Sequence, residues 1–145
     1  MTTFQNIVVP TDYGPAAQQA ADLACELANR FHARLTLLHV WEVPLPAYSE
    51  RITLPLDEMQ AAAREAMEIE VARVRAAFPK VAALVIPGVT WRAIDESVRE
   101  HGFDLIVMGT HGRRGVNRLL MMGSVAEKVV RTATIPVLTV HASDG

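Results

Sequence analysis

A three-layer α/β/α domain built on a parallel sheet is the fold class this sequence predicts, and three observations predict it. Short apolar, β-branched runs recur from Ile7-Val8-Val9 to Ile135-Pro136-Val137-Leu138-Thr139-Val140, with the continuous hydrophobicity of strands covered on both faces. Between them lie segments whose apolar residues repeat every three or four positions, the mark of helices with one buried face. Strand and helix alternate throughout, and right-handed crossovers then set the strands parallel with helices above and below.

Ile7-Val8-Val9 is the first strand, halted at Pro10-Thr11-Asp12-Tyr13-Gly14. Pro15 suits a first helical position with Gly14 as its cap, and Ala17, Ala20, Ala21, Ala24, Leu27, Ala28 and Phe31 mark the buried stripe. Leu35 to Val40 reads as the second strand, and Pro44, Pro46 and Pro55 break the connection after it. From Asp57 a second helix carries Met59, Ala63, Met67, Val71, Val74 and Phe78 on one face and Arg64, Glu65, Glu68 and Arg75 on the other, and Pro79 closes it.

The third strand is Val81 to Ile86, stopped by Pro87-Gly88, and a short helix from about Trp91 to His101 ends at Gly102. Leu105-Ile106-Val107-Met108 is the fourth strand. A glycine-bearing stretch from Gly109 to Gly123 leads into a helix with Ala126, Val129, Val130 and Ala133 inward, and Pro136 early in the last strand argues for a sheet edge.

At 145 residues the chain suits one domain, 1–145, large enough to hold a core without staples. A single cysteine, Cys25, excludes a disulfide framework and fits an inert small hydrophobe beside the first helix's buried face. Without a basic start followed by an apolar run, and without a span of about 18 apolar residues, a cytoplasmic location with no membrane partner is expected. The 14 basic and 16 acidic side chains nearly cancel, so no nucleic-acid partner is expected.

Ligands of open parallel sheets bind beyond the carboxyl ends of the strands, where strand order reverses. Here that places a site between Pro10-Thr11-Asp12 and Met108-Gly109. The stretch Gly109-Thr110-His111-Gly112-Arg113-Arg114-Gly115 can turn amides toward an anion, as can the helix start at Gly123-Ser124. The bland alternatives stand beside this: Ser124 and Glu127 have capping-box spacing, the glycines serve as turn residues, and Arg113, Arg114 and Arg118 are solvated. The segment is neither a Walker A loop, which needs Lys before Ser or Thr, nor a dinucleotide fingerprint, which belongs after the first strand.

Asp12 has two readings, a carboxylate for ribose or phosphate-bound magnesium and a side chain that stabilises its own turn. His39 and His111 lack partners at metal or acid–base spacing and read as structural. Trp41 either closes over a ligand or packs in the core or at a dimer surface, and Met121 and Met122 either cover the site or pack at the helix entrance.

Taken in order, Ile7 to Asp12, Leu37 to Val40, Asp104 to Arg113, Gly123 to Val130 and Ile135 to Leu138 resemble the universal stress protein family, a match running from about Asn6 to Val140. The resemblance implies strand order 3-2-1-4-5 in an adenine nucleotide alpha hydrolase-like fold. In the nucleotide-binding branch it implies a Gly-x2-Gly-x9-Gly-Ser/Thr signature, met here by Gly109, Gly112 and Gly123-Ser124 with ten residues in the longer gap. It places Pro10, Thr11, Asp12 and Val40 at the adenosine end and Met108 and Gly109 by the ribose. Gly112, Gly123, Ser124 and Val125 fall at the phosphates, and Ala126 stands where some relatives carry a hydroxyl. The expected ligand is ATP or another adenine nucleotide, with magnesium as a candidate companion, and the last strand is the expected homodimer surface. A regulatory ATP-binding module in stress response is the leading expectation. The alternatives are a dimeric partner-binding module without nucleotide and a slow ATPase. Since the sequence offers no paired carboxylates or activated nucleophile, no catalytic residue is assigned.

Overall fold

The computed structural model describes residues 3–43, 54–111 and 122–142. Its elements are β1 (Asn6–Pro10), α1 (Pro15–Phe31), β2 (Arg34–Trp41), α2 (Leu56–Arg75), β3 (Ala82–Pro87), α3 (Thr90–His101), β4 (Leu105–Gly109), α4 (Ser124–Thr132) and β5 (Val137–Val140). The five strands form one sheet in the order β3-β2-β1-β4-β5, every neighbouring pair parallel. The expected fold class and strand order are both present.

Side-chain alternation along the central strands divides the core. Ile7 and Val9 enter the layer filled by the alanines of α1 and by Met67, Val71 and Val74 of α2, whereas Val8 enters the layer of α3 and α4. The chain crosses the sheet once, between β3 and β4, and this reversal opens a crevice between β1 and β4.

α1 begins with Gly14 as N-cap and Pro15 in the first turn, as the sequence predicts. Its core face is almost entirely alanine, so its backbone approaches the sheet closely. A methyl group at Gly109 would lie 2.7 Å from the Ala16 Cβ and 2.9 Å from the Ala16 carbonyl carbon. Gly109 therefore has to be glycine for β4 to pass beneath α1.

Two helices deviate from the periodicity. α2 ends at Arg75, three residues before Phe78, which still packs against the core just past the helix. In α4, Ala126 and Val129 are buried but Val130 is 47% exposed, so Val130 does not belong to the inward face. Nine residues make only two and a half turns, and the sheet edge at β5 is too narrow to cover a wider stripe. β5 starts at Val137, and the carbonyl of Pro136 accepts from Ile106 N at 3.0 Å. It is an edge strand, as Pro136 implied.

Long-range polar contacts that spacing does not reveal fix the sheet's lower end. Asp104, before β4, accepts Gln5 N at 2.8 Å and Asn6 N at 3.0 Å, which pins β1 beside β4. Glu70 lies on the core side of α2, only 4% exposed, and is paired with Arg73, whose other nitrogen reaches Asp22 at 2.9 Å. Among the described residues no helix is long and apolar enough to cross a membrane.

Candidate ligand-binding cleft

The β1–α1 turn forms one wall of the crevice. Thr11 N donates to Leu38 O at 2.8 Å, and the Thr11 hydroxyl accepts Tyr13 N at 3.0 Å. Asp12 Oδ1 accepts Gly14 N at 2.9 Å, so the turn-stabilising reading of Asp12 holds. These bonds hold Tyr13 at φ 68°, an uncommon value for a residue with a Cβ. Its ring packs against that of His39, tilted by 34° with centroids 4.6 Å apart, and His39 Nδ1 sits 2.7 Å from the Thr11 carbonyl. A carbonyl only accepts, so Nδ1 carries the proton, and the structural reading of His39 follows. Burial, and secondarily the charge of Glu70, pushes the Tyr13 phenol up to about 12.

The opposite wall comes from β4 and α4. Thr110 is fully buried, and its N–H donates to Val140 O at 2.9 Å. Its carbonyl accepts Gly123 N at 2.5 Å, which returns the chain to the head of the crevice just as α4 begins. The hydroxyl lies 3.1 Å from Nδ1 of both His111 and His141.

α4 corrects one sequence expectation. Gly123, not Ser124, is the N-cap, and no side chain caps this end. The capping box fails because Ser124 already sits inside the helix, one position too late, and Glu127 instead pairs with Arg131 at 2.8 Å. The amides of Ser124, Val125 and Ala126 thus have no acceptor within the helix, and the positive end of its dipole points the same way.

Together these walls enclose a cavity of about 200 Å³. Pro10, Thr11, Asp12 and Val40 line one side, and Met108, Gly109, Gly123, Ser124 and Val125 line the other. Gly112 lies outside the described residues, as do Arg113, Arg114, Arg118 and Met121. Ala126, the position where some relatives carry a hydroxyl, is in the wall as well, and so are residues that the sequence did not assign to the site: Ala17, Leu38, His39, Thr90, Ile94, Thr110 and His111. Ile94 was legible only as a core position of α3. Thr90 carries no motif, and its N and hydroxyl are held by Glu42 Oε1 at 3.3 and 3.2 Å.

Trp41 does not close over this cavity. It stands at the end of β2 on the α2 side, where its indole N–H donates to Gln60 Oε1, so the internal-packing reading is the correct one. Burial, with the nearby Asp22 charge, raises the Cys25 thiol and keeps it protonated, against a smaller lowering by Arg73. Among the described residues no three His, Cys, Asp or Glu side chains cluster as metal ligands.

An adenosine phosphate needs an apolar slot continuous with an anion cradle, and the crevice offers Val40, Ile94 and Met108 beside the bare amide end of α4. The sequence model of the universal stress protein family matches residues 3–141. The chain belongs to this family. Universal stress protein A homolog 1 of Coxiella burnetii is 30% identical over 142 residues, covering 94% of this chain and 96% of the relative. The structure of universal stress protein UspA from Lactobacillus plantarum superposes with a TM-score of 0.78 at 28% identity, covering 97% of this chain and 99% of that one. A universal stress protein solved in complex with cAMP matches with a TM-score of 0.66 at 26% identity, over 98% of this chain and all of the other.

Proposed function

We propose that this universal stress protein is a regulatory module that binds an adenine nucleotide, ATP foremost, in the crevice between β1 and β4. The observation that carries the reading is the uncapped N-terminus of α4 opening onto an apolar slot. A base would pack among Val40, Met108 and Ile94, beside Pro10 and Thr11. The ribose would lie along Met108 and Gly109, and the phosphates would meet the main chain at Gly123, Ser124 and Val125, with Gly112 as a further contact. Asp12 faces the same space and is the candidate carboxylate for a phosphate-bound magnesium. The family relative in complex with cAMP supports an adenine ligand in this class of fold.

A ligand bound only by the folded state raises stability by mass action, by about 2.7 kcal/mol at a hundredfold excess over Kd. Thermal denaturation with ATP, ADP, AMP, cAMP and GTP should show a concentration-dependent rise in Tm for adenine nucleotides and none for GTP. No rise at millimolar ATP, AMP and cAMP alike would refute the proposal. As to assembly, we infer a homodimer through β5, beyond whose outer edge no strand lies among the described residues and whose Leu138 is 38% exposed. Sedimentation equilibrium should give twice the chain mass, and Leu138→Lys should return it to the monomer.

A further inference from the structure

The sheet has a second open edge, at β3, and its surroundings differ from those of β5. Main-chain N–H and C=O groups of alternate residues in a strand point to the same side. Gly88 N donates to Trp41 O at 3.0 Å, which turns the even-numbered residues of this stretch toward β2. Val85 turns outward, and its carbonyl accepts Gln60 Nε2 at 3.0 Å. By the same alternation Ala83 presents its N–H and C=O outward, and among the described residues no strand lies beyond β3 to pair them. Pro87 closes the upper end, so the usable edge is short.

Alongside this edge runs a groove of about 470 Å³ between β3 and α2. Met67, Val71, Ala83 and Val85 give it an apolar floor, and Arg64, Glu68 and Arg75 stand exposed along it. Among the described residues neither arginine has an ion-pair partner, whereas Arg73, Arg99 and Arg131 are all paired. The rim therefore carries net positive charge. At about 1.5 Å per helical residue the two arginines lie roughly 16 Å apart, the length of about five residues of extended chain.

We propose that the β3 edge and the α2 groove dock an extended acidic segment of a partner protein, added as a sixth strand through the main chain of Ala83 and held near its ends by Arg64 and Arg75. This goes beyond the nucleotide reading and does not depend on it, since none of these residues lines the crevice. A second copy of the chain fits poorly. Two β3 strands paired antiparallel about a two-fold axis bring both α2 helices to one face, with their arginines opposed. An acidic strand removes that repulsion and supplies the missing main-chain partners.

The test uses fluorescence anisotropy with the full-length protein and a labelled six-residue peptide, glutamate at both ends and alternating valine and threonine between. A saturable rise at low salt is expected, weakened at least tenfold by Ala83→Pro, which removes the outward N–H while leaving the ladder to β2. The double variant Arg64→Glu/Arg75→Glu should lose the acidic peptide to the same degree and gain affinity for a lysine-ended version. Unchanged melting curves for each variant exclude misfolding as the cause. Three results would overturn the proposal: no saturable binding at millimolar peptide, undiminished binding by Ala83→Pro, or a wild-type dimer that Ala83→Pro dissociates, which would assign the edge to a second copy.

Discussion

α1 and α4 both begin at the crevice with a glycine N-cap and no side-chain cap, yet their ends meet opposite fates. At α1, Pro15 removes one amide from the account, and Gly109 of β4 comes so close that even a methyl group there would collide with Ala16 and lie 3.1 Å from Ala17 N. That end is packed against β4 through Ala16, and only Ala17 of its first turn reaches the cavity wall. At α4 the strand beneath has already ended, and Ser124, Val125 and Ala126 face open space. The same glycine cap thus yields a packed joint in one place and an anion-ready opening in the other, through the proline in the first turn of α1 and through what lies in front of each helix.

Gly109→Val should break the packed side most severely. Its side chain cannot enter without moving the α1 backbone, so a loss of about 3 kcal/mol is expected, a fall in Tm of roughly 10 °C for a domain of this size. Differential scanning calorimetry would check it, and an unchanged Tm would mean that α1 and β4 are not in contact.

Ser124→Asp sharpens the contrast from the open side. A carboxylate in the first turn of α4 suits the helix dipole, by about 0.3 to 1 kcal/mol, so the free protein should be as stable as the parent or slightly more so. The same charge repels a phosphate, and calorimetric titration should show adenine-nucleotide affinity reduced at least tenfold, about 1.4 kcal/mol. Affinity preserved alongside the stability gain would place the phosphates elsewhere.

The smallest expected effect lies in the turn that joins the two sides. Tyr13 has its phenol raised from 10 to about 12 in the folded protein, so the folded state holds this proton more tightly than the unfolded chain. Its contribution is complete below pH 10, declines as pH rises between the two values and is gone above 12. Tyr13→Phe should flatten the alkaline limb of the stability–pH curve in that window. Parallel curves for the two proteins would show that the phenol is not buried.

Most of the fold was legible because its signals are local and redundant. Pro15 after Gly14, Gly102 after α3 and the apolar runs of β1 and β4 each specify an element without reference to the rest of the chain. The cleft was legible through Pro10-Thr11-Asp12 and Gly123-Ser124, since strand ends and helix starts of this topology converge. What escaped depends on partners far along the chain. Ser124 and Glu127 match a capping box by spacing, but the Thr110 carbonyl holds Gly123 and starts the helix one residue early. Trp41 was ambiguous until Gln60, nineteen residues on, took its N–H.

The sequence by itself determined the alternation of strands and helices, the parallel sheet and the two short segments that could face a ligand, because apolar periodicity and turn chemistry act over a few residues. Tertiary structure decided which helix end is open, which glycine is a packing requirement and which sheet edge carries unpaired arginines. Those properties are set by distances between residues remote in the chain, and no local pattern encodes a distance of that kind.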